Sequence, residues 1–181
     1  AAASFVKEIK EGLSDMNFLD VRFEMRFAEL EDYTADGMDE AEFYISTNPG
    51  EALRPMGNVA SGGELSRIML AIKTVLADQE DTPTLIFDEI DTGISGITAG
   101  KVAEKMHIIG ESRQVLCITH LAQIAAQADA HYLIRKSAKT GGAQTEIFSL
   151  EEEASVQELA RLLGGAKVTA SILESAREMK R

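Results

Sequence analysis

Three short stretches restrict what this chain can fold into. Ser61-Gly62-Gly63-Glu64 opens an apolar-striped segment, an apolar run ends in Asp88-Glu89, and a second apolar run ends in His120. Ser61 and Asp88 are 27 residues apart, and Glu89 and His120 are 31 apart. Leu65, Ile68, Met69, Ile72, Val75 and Leu76 recur at three- and four-residue spacing, which lays one apolar stripe along a helix. Thr84 to Phe87 is too short for a helix and is bounded by Pro83 and Asp88, so it reads as a buried strand. Ala99 to Ile109 follows as a second helix and Gln114 to Thr119 as another buried strand. Strand, helix, strand in this succession argues an α/β fold with a mostly parallel sheet flanked by helices.

The outer segments fit around that centre. Residues 3–14 suggest a short amphipathic helix. Val21 to Leu30 and Ala41 to Thr47 alternate as half-buried strands do, and they can pair as a hairpin across the acidic connection Glu31 to Glu40. Asn48-Pro49-Gly50 and Pro55-Met56-Gly57 mark a loop. Past His120, Leu121 to Gln127 reads as a brief helix. Tyr132 to Arg135 and Gln144 to Leu150 read as an antiparallel hairpin, and helices over Ser155 to Leu163 and Val168 to Lys180 are separated by Gly164-Gly165. The 181 residues suffice for one domain with a sizeable core. No apolar stretch approaches the roughly 20 residues that span a bilayer, and the first residues show no basic-then-apolar leader. The expectation is a cytoplasmic protein without a membrane partner. The single cysteine, Cys117, cannot form an internal disulfide and lies in an apolar run, as a buried inert thiol would.

Charge bears on the partners. The net charge is −12, and the first 60 residues hold 13 acidic and 5 basic side chains. Binding to a phosphate backbone relies on clustered Lys and Arg, so contacts with DNA are expected to come mainly from other parts of a larger protein. Arg135, Lys136 and Lys139, just before Gly141-Gly142, read as a solvated hairpin tip.

The chemistry sits at the three stretches. Ser61 and Glu64 form a Ser-x-x-Glu capping box, which alone means a well-capped helix. The two glycines between them weaken a helix start and make sense where something must approach the backbone closely. Exposed N–H groups and the positive helix end then suit a phosphate. Asp88 and Glu89 end a strand, where open α/β sheets place ligands. One carboxylate there can hold Mg²⁺ through water, and its neighbour can polarise an attacking water as general base. His120, one residue beyond the next strand, can reach the same ligand and donate to a terminal phosphate. Asp91-Thr92-Gly93 lies in the following loop, placed to touch a partner subunit. His107 and His131 lack such a setting and read as structural. Gly96 to Val102 superficially resembles a phosphate loop. Its spacing is one residue short, Val102 replaces the Mg²⁺-binding hydroxyl, and no strand of its own precedes it, so it reads as helix.

The runs Val59-Ala60-Ser61-Gly62-Gly63-Glu64-Leu65-Ser66-Arg67, Ile86-Phe87-Asp88-Glu89-Ile90-Asp91-Thr92-Gly93-Ile94-Ser95-Gly96 and Ile118-Thr119-His120-Leu121-Ala122-Gln123 resemble the C-terminal head segment of the RecN family, as does Ala160-Arg161-Leu162-Leu163-Gly164-Gly165. These are bacterial DNA-repair ATPases related to SMC and Rad50 proteins. Ala60 stands where many relatives have Leu. The resemblance implies the C-terminal lobe of an ABC-type (P-loop NTPase) ATPase head. Ser61, Gly62, Gly63 and Glu64 then match the signature that reaches the γ-phosphate of the opposite subunit. Asp88 matches the Walker B aspartate, Glu89 the catalytic glutamate, Asp91 the D-loop and His120 the switch histidine. The family builds its head from both ends of a long chain joined by an antiparallel coiled coil, with Walker A at the N-terminal end. No Gly-x-x-x-x-Gly-Lys-Ser/Thr loop precedes the motifs in this sequence. Residues 1–15 would therefore be the end of the returning coil, and residues 16–181 the C-terminal half of the head.

The implied mechanism is ATP-gated engagement of two heads, a homodimer sandwiching two MgATP molecules and tethering DNA ends during double-strand-break repair. Two other readings share the motifs. A transporter ATPase subunit would carry a complete Walker A and a surface for a membrane partner; Ser-Gly-Gly-Glu followed by Leu-Ser-Arg, with Glu-Ile-Asp-Thr-Gly, favours the chromosome-maintenance branch instead. A pure interaction lobe would use its acidic hairpin to dock a basic partner without chemistry.

Overall fold

The structure is a computed structural model, and it describes residues 2–18, 20–35, 37–59, 61–76, 82–139 and 142–180. Ala60 and the hairpin tip at Thr140 and Gly141 lie outside them. The chain divides into two compact units, Ala1–Ile118 and Thr119–Arg181.

The first unit opens with helix α1 (Ala2–Asp15), whose Ile9 and Leu13 are fully buried. Strands β1 (Arg22–Thr34) and β2 (Gly37–Ser46) form an antiparallel hairpin in the register Phe23↔Ile45 to Glu29↔Asp39, with an irregularity between Glu29 and Thr34. The acidic stretch expected as a connection is thus mostly strand. Solvated side chains on both faces let it run out beyond the core, whereas Phe23 and Ile45 at its root are buried. Phe23 stacks on Phe43 at 5.3 Å between ring centroids, and Phe5 of α1 lies 6.1 Å from the same ring. A short β3 (Arg54–Pro55) pairs with β2, and a single 3₁₀ turn, Met56–Asn58, leads toward helix α2 (Gly62–Val75).

Among the described residues the parallel element is one pair. Strand β4 (Thr84–Phe87) lies beside β5 (Gln114–Cys117) in the register Leu85↔Val115 and Phe87↔Cys117, linked through helix α3 (Gly96–Gly110). Leu85 and Phe87 are buried, with Ala99, Val102, Ala103, Met106 and Ile109 of α3 in the same core. The opposite face of the pair is open: Ile86 is 68% exposed, Leu116 46% and Ile118 53%. Among the described residues these strands are therefore covered on one face only. Helix α2 packs against both α1 and α3, so its buried arc is broader than the stripe read from sequence. It takes in Gly63, Arg67, Ile68, Leu70, Ala71 and Ile72, while Leu65 stays 36% exposed.

In the second unit the short helix α4 (Ala122–Ala125) precedes the antiparallel hairpin β6 (His131–Lys139) and β7 (Gly142–Leu150), then helices α5 (Glu152–Gly164) and α6 (Ala170–Lys180). Its core is small and alanine-rich: Ala122, Ala125, Ala126, Val156, Leu159, Ala160 and Ala176. Gly165 ends α5 at φ 62°, a left-handed turn that glycine makes without strain. Gly164 lets Ile172 of α6 close in, since a Cβ there would meet its Cδ1 at 2.8 Å. Arg135 and Lys136 are exposed on β6, as their solvated reading requires. Among the described residues no helix is long and apolar enough to cross a membrane.

His131 has the structural place expected of it, with Nδ1 2.8 Å from Ser155 Oγ. Burial, and then the charge of Lys180, hold its pKa below the ordinary 6.5, while Glu158 pulls the other way. The unfolded chain thus takes up the proton first as pH falls. Stability carried by neutral His131 is complete above about pH 6.5 and declines as pH drops through that value toward the lower folded pKa. Thermal melting between pH 7.5 and 5.5 should show this decline, and His131→Asn should flatten it.

Candidate active site

The site begins with how α2 starts. Ser61, in extended backbone at φ −99° and ψ 122°, is the N-cap, and the Glu64 N–H donates to its Oγ at 3.4 Å. That is the Ser61 half of the capping box. Gly62 and Gly63 make the first turn, and the close approach for which they leave room is made by the chain itself. A Cβ on Gly62 would lie 2.5 Å from Glu89 Oε2. A Cβ on Gly63 would meet the Glu89 carbonyl oxygen at 2.9 Å, the Thr92 Cβ at 2.9 Å and the Thr92 carbonyl oxygen at 3.1 Å. Gly62, Gly63 and the carboxylate loop after β4 are therefore one packed feature.

Two side chains of α2 hold that loop. Ser66 Oγ donates to the Asp88 carbonyl at 3.0 Å. Arg67, only 7% exposed, donates through Nη1 to the Ile90 carbonyl at 3.1 Å and the Thr92 carbonyl at 2.9 Å. Its guanidinium also lies 5.6 Å from the Phe18 ring centroid. Burial draws the Arg67 pKa below its ordinary value, and Glu64 partly restores it. Neither Ser66 nor Arg67 was marked as a site residue by the sequence. A signal was there in Arg67, a charge beside Ile68 and Ala71 on the packed side of the helix.

Within the loop, the Glu89 N–H donates to Asp88 Oδ1 at 2.9 Å and the Thr92 N–H to the Glu89 carbonyl at 3.0 Å. Glu89 adopts left-handed backbone at φ 57°, uncommon for a side chain of its kind. Asp88 and Glu89 are exposed at the C-terminal end of β4. Asp91 is 4% exposed, so the loop surface open to a second molecule belongs to Thr92 and Gly93. Cys117, half-buried on β5, has its thiol pushed up to about 12 by burial, then by the charges of Asp91 and Asp88. The inert-thiol expectation becomes a measurable one. With thiolate nearly absent at pH 8, iodoacetamide should label native Cys117 far more slowly than urea-unfolded chain, and equal rates would contradict this electrostatic setting.

The structure thus brings Ser61, Gly62, Gly63 and Glu64 together with Asp88, Glu89 and Asp91 in the first unit. His120 is exposed in the second unit, just before the turn into α4. The phosphate-loop look-alike is the first two turns of α3, with Lys101 paired to Glu104 at 2.9 Å along the helix.

No family model matches the chain. It is 42% identical to the DNA repair protein RecN of Halalkalibacterium halodurans over 98% of its own length and 32% of that protein. The RecN of Vibrio cholerae is 49% identical over 79% of the chain and 26% of the relative. The chain therefore spans about a third of the length of the curated relatives it matches. Among solved structures, an Smc head domain with coiled coil and joint from Pyrococcus yayanosii superposes with a TM-score of 0.59 at 21% identity, over 87% of this chain and 28% of that one. The chain is thus similar to part of these RecN proteins and shares the α/β fold of that Smc head domain.

Proposed function

We propose that this RecN-like segment is the C-terminal lobe of an ATPase head that engages and releases a second head on ATP, in the service of DNA double-strand-break repair. One observation carries the reading: a glycine-opened helix start is clamped by Ser66 and Arg67 against paired carboxylates at a parallel strand end. Residues 1–15 would end the returning coiled-coil helix, and 16–181 would form the C-terminal half of the head. The Walker A loop that grips the phosphates would come from the N-terminal half, in the rest of the longer protein. DNA would be held by the full-length protein, at the nucleoid in the bacterial cytoplasm.

Each residue then has a task. Ser61, Gly62 and Gly63, with Glu64 on the cap, present backbone N–H groups and the positive helix end to the nucleotide held by a second copy. Asp88 suits Mg²⁺ held through water, being an accessible carboxylate at the strand end. No cluster of three or more ligating side chains is present among the described residues, and an ion that keeps most of its water shell needs none. When bound, the ion neutralises phosphate charge. Glu89 takes the proton of the attacking water, Asp91 shapes the loop that offers Thr92 and Gly93 to the other head, and His120 donates to the terminal phosphate.

The test is calorimetric titration of MgATP into the chain alone, then into its mixture with a Walker-A-bearing N-terminal head segment. Binding is expected only in the mixture, and tight binding by the chain alone would overturn the half-head reading. The rival, a purely interacting lobe, is favoured by residues 27–41 of the hairpin, with six carboxylates and no Lys or Arg. Absence of turnover with the N-terminal half supplied would select it.

A further inference from the structure

We infer that Glu89 is parked on its own chain's signature, so that occupation of that signature frees it for catalysis. This rests on the roles just proposed for Glu89 and for the Ser61 helix. The carboxylate stands directly against Gly62, where a single added methyl would fall 2.5 Å from Oε2. It reaches there because Glu89 takes left-handed backbone at φ 57° and the loop around it is fixed from α2 by Ser66 and Arg67. In that position an anionic group already lies at the positive end of α2. A phosphate brought to the same helix start by another head carries like charge and competes for the same space. It drives the Glu89 side chain off Gly62.

The two tasks of this chain serve different nucleotides. Its signature acts on the molecule held by the other head, and its Glu89 acts on its own. Parking ties them together: a head cannot deploy its base until its signature has been engaged. That arrangement suppresses hydrolysis by a single unpaired head and couples the two sites of a pair through residues 61–67 and 88–92 of each chain.

The experiment uses differently tagged full-length copies purified as mixed pairs. One copy is unaltered and the other carries Ser61→Arg, which blocks the signature of that copy alone. With independent sites, one site of the pair keeps working and turnover stays near half. Under parking, the altered copy also withholds its own Glu89, and turnover falls below about a tenth of the unaltered pair. Adding Gly62→Ala to the Ser61→Arg copy displaces the carboxylate and should restore turnover toward half. That substitution is tolerated by the fold, because the new methyl meets only the end of a flexible side chain. Half turnover without Gly62→Ala overturns the inference, as does loss below a tenth that Gly62→Ala fails to restore. The underlying reading fails separately: a pair carrying Glu89→Gln on both copies that still turns over normally removes Glu89 as the base.

Discussion

Glu89→Gln in the full-length protein should lower ATP turnover roughly 10²–10⁴-fold, the usual contribution of a positioned general base, while nucleotide still binds. The amide keeps the shape and hydrogen-bonding reach of the side chain but cannot accept the proton of the attacking water. Under the proposed cycle, head pairs should then accumulate with nucleotide held, because closure is favoured and the step that releases it is blocked. Size-exclusion chromatography with MgATP should show a long-lived dimer in the variant and a transient one in the unaltered protein. Normal turnover would remove Glu89 from the role. The fold itself should be little changed, since the Glu89 side chain is exposed and its structural bonds run through its backbone N–H and carbonyl.

Arg67→Met should cost about 3 kcal/mol of stability, through the carbonyls of Ile90 and Thr92 that lose their donor. Methionine replaces much of the apolar bulk against Phe18, so the loss reads out the hydrogen bonds rather than a cavity. Arg67→Lys should rescue poorly, since an ammonium lacks the planar fork of donors. Urea unfolding of the variants measures the effect, with turnover of the full-length protein measured alongside. Stability within 0.5 kcal/mol of the unaltered protein, with turnover intact, would show that Arg67 does not position the loop.

The helices and the parallel pair were legible in the sequence because their periodicities are local. Thr84–Phe87 could be read from Pro83, Asp88 and four residues between them, and the α5–α6 break from Gly164-Gly165. The length of the first hairpin was not legible, because Glu31 to Glu40 carry the composition of a loop and strand formation overrides it. The breadth of the buried α2 face was missed for a related reason. Arg67 looks polar in a list of residues and becomes a core residue only once Ile90 and Thr92 supply acceptors. Within the site, the residue types and their order were apparent, while the seating of Glu89 on Gly62 depends on a backbone angle that no spacing rule reveals. The one-sided cover of β4 and β5 was hidden as well, since Ile86 and Leu116 read from sequence as interior residues.

The left-handed backbone at Glu89 carries a consequence for anyone who evolves this protein in the laboratory. A side chain with a Cβ pays roughly 1–2 kcal/mol at such an angle, which glycine escapes and asparagine partly escapes. A library screened for heat resistance alone should therefore enrich Gly and Asn at position 89, and with Glu89 in its proposed role as base the most durable members would be the least able to hydrolyse ATP. Screens that demand activity in every round would keep the strained glutamate and gain their robustness elsewhere.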